Sequence, residues 1–279
     1  MTFETLTNRA LIQYSVRTKS DLHIGGHATT APGEVDLPVL KNPDGFPVIP
    51  GSSLKGVLRT ELERLMKGAG IRDVCSFPRV CGKPEKGVQQ KSHNVGKDDT
   101  YSCPICQLFG GMNLAGSVRI HDATSSSRKT GIRDHVGIDR RTRKGVTSAK
   151  FDIETVPMGS FFSGSIVIEN LDLMSEDGQK SFESAKLGGF ISLVNFFNVC
   201  SGRIGGAGSR GYGQVELIIE EIRILTADDY LKGNFNGTCY SLNDTDGQKL
   251  KEYSIAASDA WQGYLNTLSR RTGDQHDRI

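Results

Sequence analysis

The order of elements in this chain predicts an α+β fold with a ferredoxin-like core: strand, helix, strand, strand, helix, strand. Three observations predict it. Two stretches, ALIQYSVR at 10–17 and QVELIIEEIRIL at 214–225, alternate or carry β-branched residues as strands do. Two segments between them, near 53–67 and 181–200, repeat apolar residues at helical spacing. Two further strand-like stretches, SVRIHDA at 117–123 and the arm 151–169, lie between those helices.

Each element has a local reason. The first helix places Leu54, Val57, Leu58, Leu62, Leu65 and Met66 on one face. Ser52 or Ser53 can cap it, and Gly68 can end it. The arm 151–169, FDIETVPMGSFFSGSIVIEN from Phe151 on, bends at Pro157 and Gly159. The second helix carries Phe182, Phe190, Ile191, Val194 and Phe197 as its buried face. A third candidate helix, 247–269, has Leu250, Tyr253, Ala257, Trp261, Leu265 and Leu268 on one stripe. That stripe reads as packing, capping the core or docking a neighbouring subunit. RNA-recognition domains use the same core order.

Composition narrows the class. The chain has 279 residues and net charge +2, so no global field announces a nucleic-acid partner. Glycine is the outlier: 33 residues, against a usual share of about 7 %. No stretch is apolar for long enough to span a bilayer, and the N-terminus lacks a signal-peptide layout. The protein reads as soluble and cytoplasmic, so its six cysteines are expected as thiols or metal ligands.

Five stretches carry chemistry. Residues 202–213, GRIGGAGSRGYG, combine a bare backbone with Arg203 and Arg210. A nucleotide P-loop is excluded, because a strand follows rather than Gly-Lys-Ser/Thr and a helix. In PGSSLKG, Gly51 and Ser52 precede a helix N-terminus that favours an anion, and Lys55 and Arg59 lie one turn apart. An RNA phosphate there and a plain helix cap with two exposed bases remain equally open. The segment 128–150 holds eight Lys/Arg and two Asp, a local +6, and reads as a nucleic-acid-contacting arm rather than a solvated hairpin.

The polar, Lys-rich segment 70–110 reads as an insertion. Its Cys103-Pro-Ile-Cys106 knuckle suits a tetrahedral ion, while Cys75 and Cys81 are separated by five residues and make a looser pair. His93 is an alternative ligand, and structural zinc is the expected occupant. Finally, the loop 22–37 brings His23, His27, Glu34 and Asp36 into one glycine-rich segment. Beside RNA, such a carboxylate could bind a divalent cation, Mg2+ or another, or take a proton from a ribose 2′-OH. A lone Asp in a loop is otherwise a turn residue.

In sequence these stretches run HIGG, EVDLPVL, GFPVIPGSSLKGVLR, CPICQLFG, RIHDA, GIDRRT with ETVPMGSFF, then GGAGSRGYGQVEL. From about residue 22 to 217 the chain resembles the RAMP superfamily, and within it the seventh family of CRISPR-associated proteins. Those are the repeated backbone subunits of type III effector complexes. The resemblance implies a modified RNA-recognition fold that stacks along a guide CRISPR RNA, beside copies or relatives of itself and other complex subunits. It implies RNA contacts at Ser52, Ser53, Lys55 and Arg59, at Arg140 and Arg141, and at Arg203, Gly206, Gly208, Ser209, Arg210 and Tyr212. The segment around 133–158 would be the family's thumb hairpin, wedged into the guide–target duplex.

Asp36, in VDLPV, matches the family's catalytic Asp, and His23, in LHIG, matches a histidine near the RNA. The implied reaction is metal-dependent attack of a 2′-OH on its neighbouring phosphate in target RNA, at regular intervals. A non-catalytic scaffold and a guide-processing endonuclease using His23 or His27 are the alternatives. The expected organisation is a domain over 1–225, with a zinc insertion at 70–110 and a thumb at 124–160, then a helical extension over 226–279.

Overall fold

The structure, a computed structural model, describes residues 5–26, 35–71, 74–75, 81, 102–111, 114–175, 179–200, 202–243 and 247–268. His27, Glu34 and His93 lie outside the described residues.

The central strand is β1 (Asn8–Thr18). Its alternate residues Ala10, Ile12, Tyr14, Val16 and Thr18 are almost wholly buried, as a strand with one face on a core requires. Antiparallel neighbours flank it: β10 (Val215–Thr226) on one side and β7 (Phe161–Glu169) on the other. The sheet has seven strands. Beyond β7 lie β3 (Val118–Ile120) and β4 (Ala123–Ser125), with β2 (Val48–Ile49) on β4. Beyond β10 lies β11 (Thr238–Ser241). The stretch expected as one strand at 117–123 is thus two short strands, both paired with β7.

Helix α1 (Gly51–Gly68) buries Leu54, Leu58, Leu62 and Met66, four residues apart, on the core. No serine caps it. Pro50 stands at the N-cap, and the Asp122 carboxylate accepts from Gly51 N–H at 2.8 Å. The helix runs through Gly68 and turns at Gly70, whose φ is +73°. The short α2 (Pro104–Phe109) is the CPIC segment, with its Pro in the first turn, where a missing N–H costs nothing.

The basic segment is a two-stranded antiparallel hairpin, β5 (Gly131–Ile138) with β6 (Gly145–Thr155), standing off the main sheet. A minor hairpin, β8 (Leu173–Met174) with β9 (Ser181–Phe182), occupies the expected start of the second helix. That helix, α3 (Ala185–Val199), begins later because Ser184 takes a left-handed φ of +56° just before it. After α4 (Ala227–Leu231) and β11, α5 (Gln248–Leu265) lies across α3. Gly188 lets the two backbones meet: a Cβ there would sit 1.7 Å from Ala257 O. The apolar stripe of α5 is therefore core packing, with Trp261 and Tyr264 buried. Among the described residues no helix is long and apolar enough to cross a membrane.

Candidate nucleic-acid interface and metal centre

One edge of β6 carries two of the four loop residues singled out for chemistry, His23 and Asp36. Alternate residues of a strand present their N–H and C=O to the same edge. Asp152 N–H donates to Asp36 Oδ2 at 2.9 Å, and Asp152 O accepts from Leu37 N–H at 3.1 Å. Glu154 N–H donates to Leu37 O at 2.9 Å. Glu154 O lies 2.8 Å from His23 Nδ1. A carbonyl can only accept, so Nδ1 carries the proton and Nε2 of the neutral ring is the acceptor. Val156 pairs with Leu22 through both its N–H and its C=O. His23 and Asp36 thus ride on positions two residues apart, roughly 7 Å along the strand. Asp36 is exposed, and its Oδ1 has no hydrogen bond among the described residues. His23 is 6 % exposed, so it backs the site rather than meeting solvent.

The Glu154 side chain fastens this edge. Its carboxylate accepts from Val39 N–H at 2.9 Å, from Thr130 Oγ1 at 2.7 Å and from Lys41 Nζ. Burial pushes its pKa up, but the hydrogen bonds from Lys41, Thr130 and Val39 outweigh that and hold it below the ordinary value.

The glycine-rich loop packs on the same place. Gly206 N–H donates to His23 O at 2.9 Å. At Gly205, φ is +79° and a Cβ would lie 2.2 Å from His23 O. This glycine is bare because protein backbone approaches it. At Gly211, by contrast, a Cβ would find nothing within 4 Å. Gly208, Ser209 and Arg210 form a 3-10 turn, with Ser209 and Arg210 exposed. Arg203 is exposed and donates to Gly208 O across the loop. Arg210 lies over the Phe151 ring at 5.6 Å, and Tyr212 OH is 2.8 Å from His135 Nε2. His135 also stacks on Phe151 at 5.3 Å. Loop and hairpin are therefore clasped together, and Arg133 adds an ion pair to Asp21 at 2.7 Å.

At the start of α1, Ser52 and Ser53 are exposed. Gly51 is required there, since a Cβ would fall 2.0 Å from Ile120 O. The first amide is already bonded to Asp122, which weakens this helix end as an anion site. Lys55 and Arg59 do share a side of the helix, but both turn inward. Lys55 Nζ donates to Val118 O at 2.8 Å, and burial, then Arg59 and Arg119, lower its pKa. Arg59 donates to Glu63 at 2.9 Å, to Gly110 O at 2.8 Å and to Cys106 Sγ at 3.7 Å. Arg140 and Arg141 sit exposed in the turn of the hairpin, where Asp139 accepts from Arg141 N–H at 2.8 Å.

The four cysteines converge. Sγ atoms of Cys75, Cys81, Cys103 and Cys106 all lie within 4.8 Å of one another, buried and without a disulfide. A tetrahedral ion with metal–sulfur distances of about 2.3 Å needs sulfur–sulfur edges near 3.8 Å, so the set is of the right size. Cys103 N–H points to Cys81 Sγ at 3.4 Å and Cys81 N–H to Cys106 Sγ at 3.5 Å, as donors do around thiolates. Hydrogen bonding from Cys103 pushes the Cys75 thiol up and draws Cys81 and Cys106 down, while Cys106 pushes Cys103 up. Four buried sulfurs so arranged could bind a metal ion. Among the described residues no comparable group of acids or histidines surrounds Asp36.

Sequence reasoning missed Glu154, Asp122 and His135. Each acts on a partner 71 or more residues away, and no local pattern marks such a partner.

A family model described as the RAMP superfamily matches residues 15–216. Among curated proteins, the "CRISPR system Cms endoribonuclease Csm3" of Enterococcus italicus is 29% identical over 214 residues, 74% of this chain and 88% of that protein. The protein of the same name from Methanocaldococcus jannaschii is 26% identical over 246 residues, 83% of this chain and 87% of that one. That from Mycobacterium tuberculosis is 30% identical over 206 residues, 70% and 80% of the two chains.

Proposed function

The chain belongs to the RAMP superfamily, and we propose that within it this protein is a guide-RNA-binding backbone subunit of a type III CRISPR effector complex that cleaves complementary target RNA. The observation that carries the catalytic part is the placement of exposed Asp36 on the edge of hairpin strand β6 that also holds His23, whose carbonyl accepts from Gly206 of the glycine loop. A nuclease must bring its acid to the RNA that the hairpin contacts, and this edge couples the two. The relatives' printed name, endoribonuclease, supports the same reading.

The sheet order β10–β1–β7–β4, with α1 and α3 as the two crossovers, supports a ferredoxin-like core. The domain then spans 1–225, with the hairpin region 124–160 as its thumb and 70–110 as a zinc insertion. Within the proposed extension 226–279, α5 packs against α3. Guide phosphates would run past the exposed Ser52, Ser53, Arg203, Ser209 and Arg210, with Gly206, Gly208 and Tyr212 shaping the loop beneath them. Arg140 and Arg141 at the hairpin tip would neutralise target or guide phosphates without reading sequence. The partners are a guide CRISPR RNA, target RNA, and copies or relatives of the subunit with other complex members, in the cytoplasm.

In the reaction, the 2′-OH attacks its neighbouring phosphorus while the bond to the 5′ oxygen of the next nucleotide breaks, leaving a cyclic phosphate. Asp36 orients that hydroxyl or takes its proton through Oδ1, which has no hydrogen bond among the described residues. The Asp152 amide holds Oδ2, fixing the carboxylate. His23 keeps the loop in place, Nδ1 on Glu154 O and its own carbonyl on Gly206 N–H. A divalent cation, when bound, would stabilise charge on the phosphate. Asp36 would give such a cation one carboxylate, and RNA oxygens would add further ligands. The four cysteines would bind zinc as a structural ion.

The test uses the assembled complex with guide RNA, labelled complementary RNA and magnesium. Asp36→Ala is expected to abolish regularly spaced cuts with target binding intact. Cuts that survive in the variant refute the assignment. No cutting by either protein would favour a scaffold.

A further inference from the structure

We propose that Arg59 is a positioning residue for the metal centre, fastening the cysteine cluster to helix α1, and is not an RNA contact. The inference rests on the zinc reading of the four cysteines.

The geometry uses the whole guanidinium. Nη2 faces Cys106 Sγ at 3.7 Å, Nη1 donates to Gly110 O at 2.8 Å, and Nε donates to Glu63 at 2.9 Å. Cys106 begins the last turn of α2 and Gly110 ends it, so two prongs grip the same turn that supplies a ligand. Glu63, itself 8 % exposed, holds the guanidinium from behind, one helical turn further along α1. This is the arrangement by which outer partners orient a metal ligand: carboxylate, then donor, then ligand atom.

The chemistry of the centre asks for such a donor. Four thiolates around a divalent ion leave a net charge of −2, buried and away from water. N–H groups directed at the sulfurs spread that charge. Cys81 and Cys103 supply two neutral amides. Among the described residues Arg59 is the one cationic side chain with a hydrogen bond to a sulfur of the centre. Its planar fork holds donors to three separated partners in one fixed geometry, whereas a lysine ammonium carries its three donors at a single point on a flexible stem. A further consequence is that metal binding steadies α1, the helix that begins at GSSLKG. Lys55 reinforces the link, with Nζ on Val118 O just after the same insertion.

The experiment uses the full-length protein, unsubstituted and as Arg59→Met and Arg59→Lys. Zinc affinity is measured by competition with a chromophoric chelator, and cobalt replaces zinc to read the thiolate-to-metal charge-transfer band. Thermal unfolding is followed for loaded and metal-free forms, and guide-RNA binding at saturating zinc. Arg59→Met is expected to weaken zinc binding by about 10–100-fold and to move the cobalt band. The gap between loaded and metal-free midpoints should shrink accordingly. Guide-RNA affinity at saturating zinc should stay unchanged. Arg59→Lys should lose less, and it decides the question on the same criteria if Arg59→Met does not fold. Zinc affinity within twofold, or an unchanged gap with both midpoints lowered alike, would show a packing role and overturn the proposal. A loss of RNA affinity at saturating zinc would restore Arg59 as an RNA contact. Absence of zinc in the unsubstituted protein would remove the zinc reading itself, and this proposal with it.

Discussion

Replacing Gly205 by Ala tests the link between the glycine loop and the loop that bears His23. Two penalties add. The residue has φ +79°, where a Cβ meets its own backbone at a cost of roughly 1–2 kcal/mol. The new methyl would also lie 2.2 Å from His23 O and 3.2 Å from Ile24 Cγ1, so the loops must part by roughly 1 Å to reach ordinary contact. Overpacking of that kind costs about 1–3 kcal/mol. The total is about 2–5 kcal/mol, or several degrees in the thermal midpoint at about 2–4 °C per kcal/mol. Gly211→Ala is the control. It has φ +92° but nothing within 4 Å, so it carries the backbone penalty alone. The assay is urea unfolding followed by fluorescence of the single tryptophan, Trp261, which is buried against α3. The difference between the two variants reads the loop–loop contact. If Gly205→Ala falls within about 0.5 kcal/mol of Gly211→Ala, close approach of the two loops does not set the cost and the reasoning fails.

Three further outcomes follow from the same geometry. Glu154 has its folded pKa below the ordinary value of 4.5, so its stabilising effect is present above that pH and fades as pH falls through the folded value. Acid unfolding of Glu154→Gln should therefore begin from a lower stability and slope less below about pH 4.5 than the wild type; identical slopes would count against the network with Lys41 and Thr130. Burial lowers the Lys186 pKa from 10.5 to about 8. The unfolded chain then binds more protons between those values, so wild-type stability should rise over that window relative to Lys186→Met, and parallel pH curves would contradict it. Tyr212→Phe removes the 2.8 Å bond to His135 and should cost about 1 kcal/mol. A double-mutant cycle with His135→Ala should show coupling of similar size, and additive losses would mean that the clasp is not formed in solution.

Much of the fold was legible because it rests on local periodicity. The apolar spacing of α1 and α5 and the alternation of β1 are set by neighbours in the chain, and the ends differed by only a few residues. The split of 117–123 into β3 and β4, and the late start of α3, were not legible, because pairing with β7 and a left-handed Ser184 decide them. The four cysteines were legible as a set through the CPIC knuckle, although the five-residue spacing of the second pair gave no geometry.

By itself the sequence determined residue chemistry: thiols fit for a metal, a carboxylate in a glycine-rich loop, a basic hairpin, and helices with one apolar face. Tertiary structure alone decided where those groups are spent. Asp122, far along the chain, occupies the helix end that the serines were expected to cap. Lys55 and Arg59 turn from the surface to Val118, Gly110 and Cys106. His23 and Asp36 find their places on β6, more than a hundred residues away. The physical reason is that a hydrogen bond or ion pair depends on distance in space. A local pattern can say that a donor needs an acceptor, and only the closed fold says which one is within 3 Å.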